Sequence, residues 1–146
     1  MLVLITLPAC VGSGSTSRSP ASQDPCADFE VQVEKYWSAS IKAQVMDKRG
    51  AVELEKRSGV VTKMDRISED WVMMRTAVCK DHFVRELITR EQYAARVRCF
   101  DDRLERQRSL ATTLAGIDDS GGDWTALESS LDRLIAEPTS CESPAQ

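Results

Sequence analysis

Four cysteines, Cys26, Cys79, Cys99 and Cys141, point to the chemistry this chain is best equipped for, the oxidation of paired thiols to disulfides. Metal binding is the competing use of the same sulfurs. Cys79-Lys80-Asp81-His82 has a C-x-x-H spacing, but the other cysteines form no second short pair, so neither zinc nor any other cofactor is expected. His82 is the only histidine. With the cysteines paired it has no thiol to activate, and nucleophilic catalysis lacks its second member. Asp101-Asp102 and Asp118-Asp119 are among the adjacent acid pairs. Neighbouring residues on a helix do not face each other, and Asp118-Asp119 falls in a Gly-rich loop, so both read as solvated surface. No catalytic residue is predicted, and the chain is expected not to be an enzyme.

A fifth cysteine, Cys10, closes the stretch Leu7-Pro8-Ala9-Cys10 behind the apolar run Met1 to Leu7. The run is far short of the ~20 residues a spanning helix needs and looks like the core of a secretory signal. Leu7, Ala9 and Cys10 look like a bacterial lipobox, which implies cleavage before Cys10 and lipid attachment to it. Pro8 is less usual there, and no basic residue precedes the run, so the true start is expected further upstream or within a longer hydrophobic segment. The competing reading is an ordinary signal peptide with an incidental cysteine. Residues 11–23, rich in Ser and Gly, suit a flexible tether. The expected organisation is therefore a signal and lipobox at 1–10, a linker at 11–23, a folded domain at 24–141 and a tail at 142–146. The expected address is extracytoplasmic and membrane-anchored, in the periplasm or cell envelope, where disulfides persist.

Composition fits one soluble domain: 42% hydrophobic, 29% charged and 5% aromatic, so the core must be mostly aliphatic. A net charge of -4 with interleaved signs gives no basic stripe, and nucleic acid is not an expected partner.

The elements that must position the cysteines are helical. Asp24-Pro25 predicts a helix start, followed by Phe29, Val33, Tyr36, Trp37, Ile41 and Val45 at helical spacing, with Lys48-Arg49-Gly50 as its end. A second helical region begins near Ala51, with Gly59 as a candidate interruption. Beyond it Val60, Met64, Ile67, Trp71, Met74 and Val78 alternate steps of four and three, which keeps one stripe toward a partner helix. Thr89-Arg90-Glu91-Gln92 is a capping box. It opens a helix with Tyr93, Val97, Phe100 and Leu104 on one face, resuming at Ala111 and Leu114. A loop is predicted from Gly116 to Gly122, then a last helix capped by Asp123, with Trp124, Leu127, Leu131 and Leu134 inward and Pro138 as its stop. No segment alternates with period two, so the fold class is all-α: a small antiparallel helical bundle with two disulfides.

Four cysteines allow three pairings. Cys79 and Cys99 lie about equally far from the Thr89 cap, roughly 15 Å along each helix. An antiparallel hairpin would therefore bring them to one height and favour Cys79–Cys99. Cys26–Cys141 would then close the bundle end to end.

The remaining features have ordinary readings. The arginines from Arg90 to Arg108 could face an anionic surface, but intervening acids favour i,i+4 pairs such as Arg98 with Asp102 and Asp102 with Arg106. Trp37, Trp71 and Trp124 are expected in the core, and Met73 and Met74 are packing candidates.

Pro25-Cys26, Trp71-Val72-Met73-Met74-Arg75 with Cys79, Arg96-Val97-Arg98-Cys99 with Arg103-Leu104, and the closing Cys141 follow one order. In this order the chain resembles the extracytoplasmic four-cysteine region of bacterial, myxobacterial-type, transmembrane serine/threonine protein kinases, over about residues 24–141. That family's central turn usually carries a Gly, where this chain has Glu86-Leu87-Ile88-Thr89. The kinase signatures and tetratricopeptide repeats are absent from this sequence. The resemblance implies a fold and a location, and with no catalytic constellation the expected function is a non-catalytic sensory or protein-interaction module, with an envelope protein as partner and the membrane reached through the lipid expected on Cys10. The alternatives are a structural envelope lipoprotein and a fragment of a larger membrane-bound signalling kinase.

Overall fold

In a computed structural model the described residues are 24–48, 54–117, 123–137 and 141. The expectations for residues 1–23, Arg49-Gly50, Ala51, Asp118 to Gly122, Pro138 and the tail lie outside them. Five helices follow one another: α1 (Phe29–Glu34), α2 (Ala39–Asp47), α3 (Leu54–Phe83), α4 (Arg90–Gly116) and α5 (Trp124–Ala136). The described residues contain no strand, so the fold is all-α.

The long helix α3 is the axis on which the others pack. Its predicted stripe is buried throughout: Val60, Met64, Ile67, Trp71, Met74 and Val78. It runs on through Gly59, so that glycine does not interrupt it. The capping box forms as read: Thr89 Oγ1 accepts from Gln92 N–H at 3.2 Å, and Gln92 Oε1 accepts from Thr89 N–H at 2.8 Å. Trp71 meets Phe100 through a 2.9 Å bond from its indole N–H to the Phe100 carbonyl, and Arg75 meets Tyr93. One helix therefore rises as the other falls, an antiparallel pair. Asp123 caps α5 by accepting from Ala126 N–H, and Trp124, Leu127, Leu131 and Leu134 are buried.

The N-terminal segment departs from the single helix expected over 24–50. Asp24 starts a turn instead: its carboxylate accepts from Cys26 N–H at 2.9 Å and its carbonyl from Ala27 N–H at 3.0 Å. A second break separates α1 from α2, where Ser38 caps the new helix through Ile41 N–H. Tyr36 and Trp37 are 6% and 3% exposed. The chain leaves the helix at this point, with Tyr36 N–H and Trp37 N–H both donating to the Val33 carbonyl, at 3.1 and 2.9 Å.

The disulfides also depart from expectation. They join Cys26 to Cys79 and Cys99 to Cys141, each with Cα atoms 5.5 Å apart, rather than Cys79 to Cys99 and Cys26 to Cys141. Equal height along a hairpin is not sufficient, because the Cβ vectors must also converge. Phe100 holds the seam with α3, and Cys99, one residue back, points about 100° away from it, toward Cys141. Cys79 is turned toward the turn before α1, with its sulfur 3.5 Å from the Pro25 carbonyl oxygen. The two bonds span 53 and 42 residues. By loop-closure entropy each is worth about 4 kcal/mol. One ties the N-terminal segment to α3, and the other ties α4 to the far end of α5. Disulfides of this kind fit an oxidising, extracytoplasmic compartment.

Three helix ends are finished by basic side chains from elsewhere in the chain. The last carbonyls of a helix lack internal partners. Lys48 Nζ donates to the Ala115 carbonyl at 2.8 Å and to that of Ile117, at the end of α4. Arg57 donates to the Met46 and Lys48 carbonyls at the end of α2. Arg103 donates to the Leu134 carbonyl at 3.0 Å and the Glu137 carbonyl at 2.8 Å, at the end of α5. Cations there also suit the helix dipole.

Candidate functional site

The long helices leave an open groove beside α3. Its floor is Val33, Trp37, Val72 and Met73, contributed by α1, the α1–α2 turn and α3, and its volume is about 690 Å³. Met73, expected to pack inside, is 62% exposed, whereas its neighbour Met74 is 6% exposed. The stripe explains this: Met74 occupies the inward position and Met73 is rotated about 100° from it.

Four carboxylates rim this apolar floor: Glu30 and Glu34 on α1, and Asp65 and Glu69 on α3. Asp65 accepts from the Trp37 indole N–H at 2.8 Å and pairs with Lys42 at 2.6 Å, which fixes that end of the groove. The described ion pairs include none with Glu30, Glu34 or Glu69. All three are exposed. The site is therefore a trough with an apolar base and a rim on which Glu30, Glu34 and Glu69 have no described ion pair. Sequence reasoning missed it. A signal was present, since Glu30 with Glu34 and Asp65 with Glu69 are like charges four apart, an arrangement that costs an isolated helix a few tenths of a kcal/mol.

The residues singled out from sequence are placed elsewhere. Cys26, Cys79, Cys99 and Cys141 are all in disulfides. Cys10 lies outside the described residues. His82 stacks on Tyr93, with ring centroids 4.6 Å apart and planes 13° apart, and its Nδ1 lies 3.2 Å from the Ile88 carbonyl oxygen. The sulfur of Cys79 is bonded to Cys26, so the C-x-x-H pair does not form a two-ligand clamp. Among the described residues no three His, Cys, Asp or Glu side chains gather as a metal site would require. Asp101 and Asp102 are exposed.

The arginine helix is not the run of i,i+4 pairs expected. Arg103 is buried at 1% exposure, Arg106 pairs with Glu137 at 2.8 Å, and Arg108 pairs with Glu105 at 2.9 Å. Burial lowers the pKa of the Arg103 guanidinium, while Asp70 and Glu137 oppose that shift. Beside it, fully buried Gln107 accepts a 2.8 Å hydrogen bond from the Tyr36 hydroxyl. Burial raises the Tyr36 phenol to about 12, against smaller opposing effects of Ser68 and Arg108. Gln107 occupies the gap in the α4 stripe between Leu104 and Ala111, and with Arg103 just before it a buried polar link replaces the missing hydrophobe. Trp37, Trp71 and Trp124 are in the core as expected.

No protein-family model, curated protein or solved structure matches this chain. No helix among the described residues is long and apolar enough to cross a membrane.

Proposed function

We propose that this chain is a non-catalytic, exported interaction module: a disulfide-stapled helical head, held at a membrane by lipid on Cys10, that presents the α1–α2–α3 groove to an envelope protein. The observation that carries this reading is the groove itself, with Val33, Trp37, Val72 and Met73 at its base and Glu30, Glu34 and Glu69 at its rim without a described ion pair. Such a surface is complementary to a segment with an apolar anchor flanked by lysines or arginines. The anchor supplies affinity and the charges supply register and on-rate. The likeness to kinase ectodomains supports a sensory role for that contact.

The test places a photo-crosslinking side chain at Met73 in the full chain and irradiates intact envelopes. A specific adduct is expected. It should be lost when Glu30 and Glu69 are changed to Lys, and should not form from a probe at exposed Thr112 on α4. No adduct at Met73, together with no thermal shift on adding a synthetic Lys/Leu peptide, would remove the proposal.

A further inference from the structure

The turn between α3 and α4 carries the most concentrated exposed apolar surface among the described residues. Phe83, Val84 and Leu87 are 51%, 67% and 69% exposed within five positions of one another. Large apolar side chains usually escape water by folding inward, and here the turn is built to prevent it. Glu86 sits in the left-handed region at φ 53, a conformation that costs a side-chain-bearing residue free energy. Leu87 N–H donates back to the Asp81 carbonyl at 2.7 Å, and Arg85 pairs with Asp81 at 2.8 Å. Behind the tip, Phe83 packs edge-on against His82 and Tyr93, with centroids 4.6 and 5.3 Å away. The capping box at Thr89 closes the far side. Phe83, Val84 and Leu87 are thus held outward on a preformed knuckle.

The path of the chain says what this knuckle meets. Cys26 is bonded to Cys79, and the Pro25 carbonyl touches the Cys79 sulfur, so the first described residues lie beside the last turn of α3. Phe83 is four residues further along that helix, about 6 Å. The opposite end of α3, where Leu54 is 60% exposed, is about 38 Å from Cys79. Thirteen residues reach at most about 45 Å and, as a Ser/Gly chain, rest near 20 Å. A lipid on Cys10 is therefore attached at the knuckle's end of α3 and keeps that end nearer the bilayer than the other.

We infer that the α3–α4 knuckle is a membrane-contact surface, with Phe83, Val84 and Leu87 entering the lipid interface and orienting the head; this rests on the lipid tether proposed above. Lys80, Arg85 and Arg90 around the tip are accompanied by Asp81, Glu86 and Glu91. The contact is accordingly apolar insertion with side chains snorkelling to headgroups, and does not depend on anionic lipid.

The experiment uses the full lipidated chain in phosphatidylcholine vesicles, with or without brominated acyl chains. Leu87→Trp and Phe83→Trp report on the tip and Leu54→Trp on the opposite end. The native tryptophans are buried and provide a constant background. The emission added at the two tip positions should fall by about half with brominated lipid, as for side chains 5–10 Å into the interface, while that at Leu54→Trp stays unchanged. Equal quenching at both ends, or none at the tip in protein that floats with the vesicles, overturns the inference and leaves the tether standing. A chain that does not float removes both.

Discussion

Two grooves of nearly equal size flank this helical pair, about 690 Å³ between α1–α2 and α3 and about 700 Å³ between α4 and α5. Volume does not distinguish them, but charge does. In the α4–α5 groove Arg106 pairs with Glu137, Arg108 with Glu105, and Arg133 donates to Ser130, so most of its charged groups, Asp102 excepted, have described partners within the fold. Along α3 the carboxylates of Glu30, Glu34 and Glu69 stand over exposed Met73 without a described ion pair. A surface whose charges are already matched gains little by binding another, since exposed pairs are worth about 1 kcal/mol or less. The unmatched groove is the one a partner can improve.

The largest test of this contrast removes the staples one at a time. Replacing Cys26 and Cys79 together by Ala should lower unfolding free energy by about 4 kcal/mol, and so should replacing Cys99 and Cys141, both read from urea denaturation. Only the first should also abolish crosslinking from Met73, because only that bond ties the segment carrying α1 to α3. Equal loss of crosslinking from both would show that the two sides do not act separately.

A smaller effect is expected inside the α4–α5 side. Arg103→Ala strips partners from the Leu134 and Glu137 carbonyls and leaves a void. It should cost about 3 kcal/mol in the same assay, with Arg103→Lys costing less. If Ala were tolerated without loss, the buried guanidinium would not be what holds the end of α5.

The smallest effect concerns the link between the sides, Tyr36 to Gln107. The folded phenol titrates at about 12 against an ordinary 10.0. Above pH 10 the unfolded chain loses this proton while the folded one keeps it. Stability is fully present below pH 10 and is lost as pH rises toward 12, by on the order of 2 kcal/mol. Tyr36→Phe should remove that part of the alkaline loss, visible as a shallower fall of melting temperature over this range. An unchanged slope would mean the hydroxyl is not held as described.

Much of this architecture could be read from the chain. The stripe from Val60 to Val78, the capping box at Thr89 and the Asp123 cap follow from spacing and local hydrogen bonding, which the sequence displays directly. The disulfide partners were not legible, because height along a hairpin is set by counting residues whereas azimuth depends on which residues take the seam. The break after α1 was hidden because Tyr36, Trp37, Ile41 and Val45 continue a helical spacing, while the Ser38 cap that restarts the chain as α2 carries no strong signal of its own. Arg103 and Gln107 look like surface on any polarity scale, and only their nonlocal partners make them interior. The groove was half legible, as like charges four apart on two segments, and its apolar floor emerged only when α1 was laid against α3.

Lys48, Arg57 and Arg103 each complete a helix that does not contain them. An excised helix, or a proteolytic piece lacking one of these donors, would carry raw carbonyls at its terminus. Loss of any one segment therefore weakens another distant in sequence, so the domain should melt as one unit.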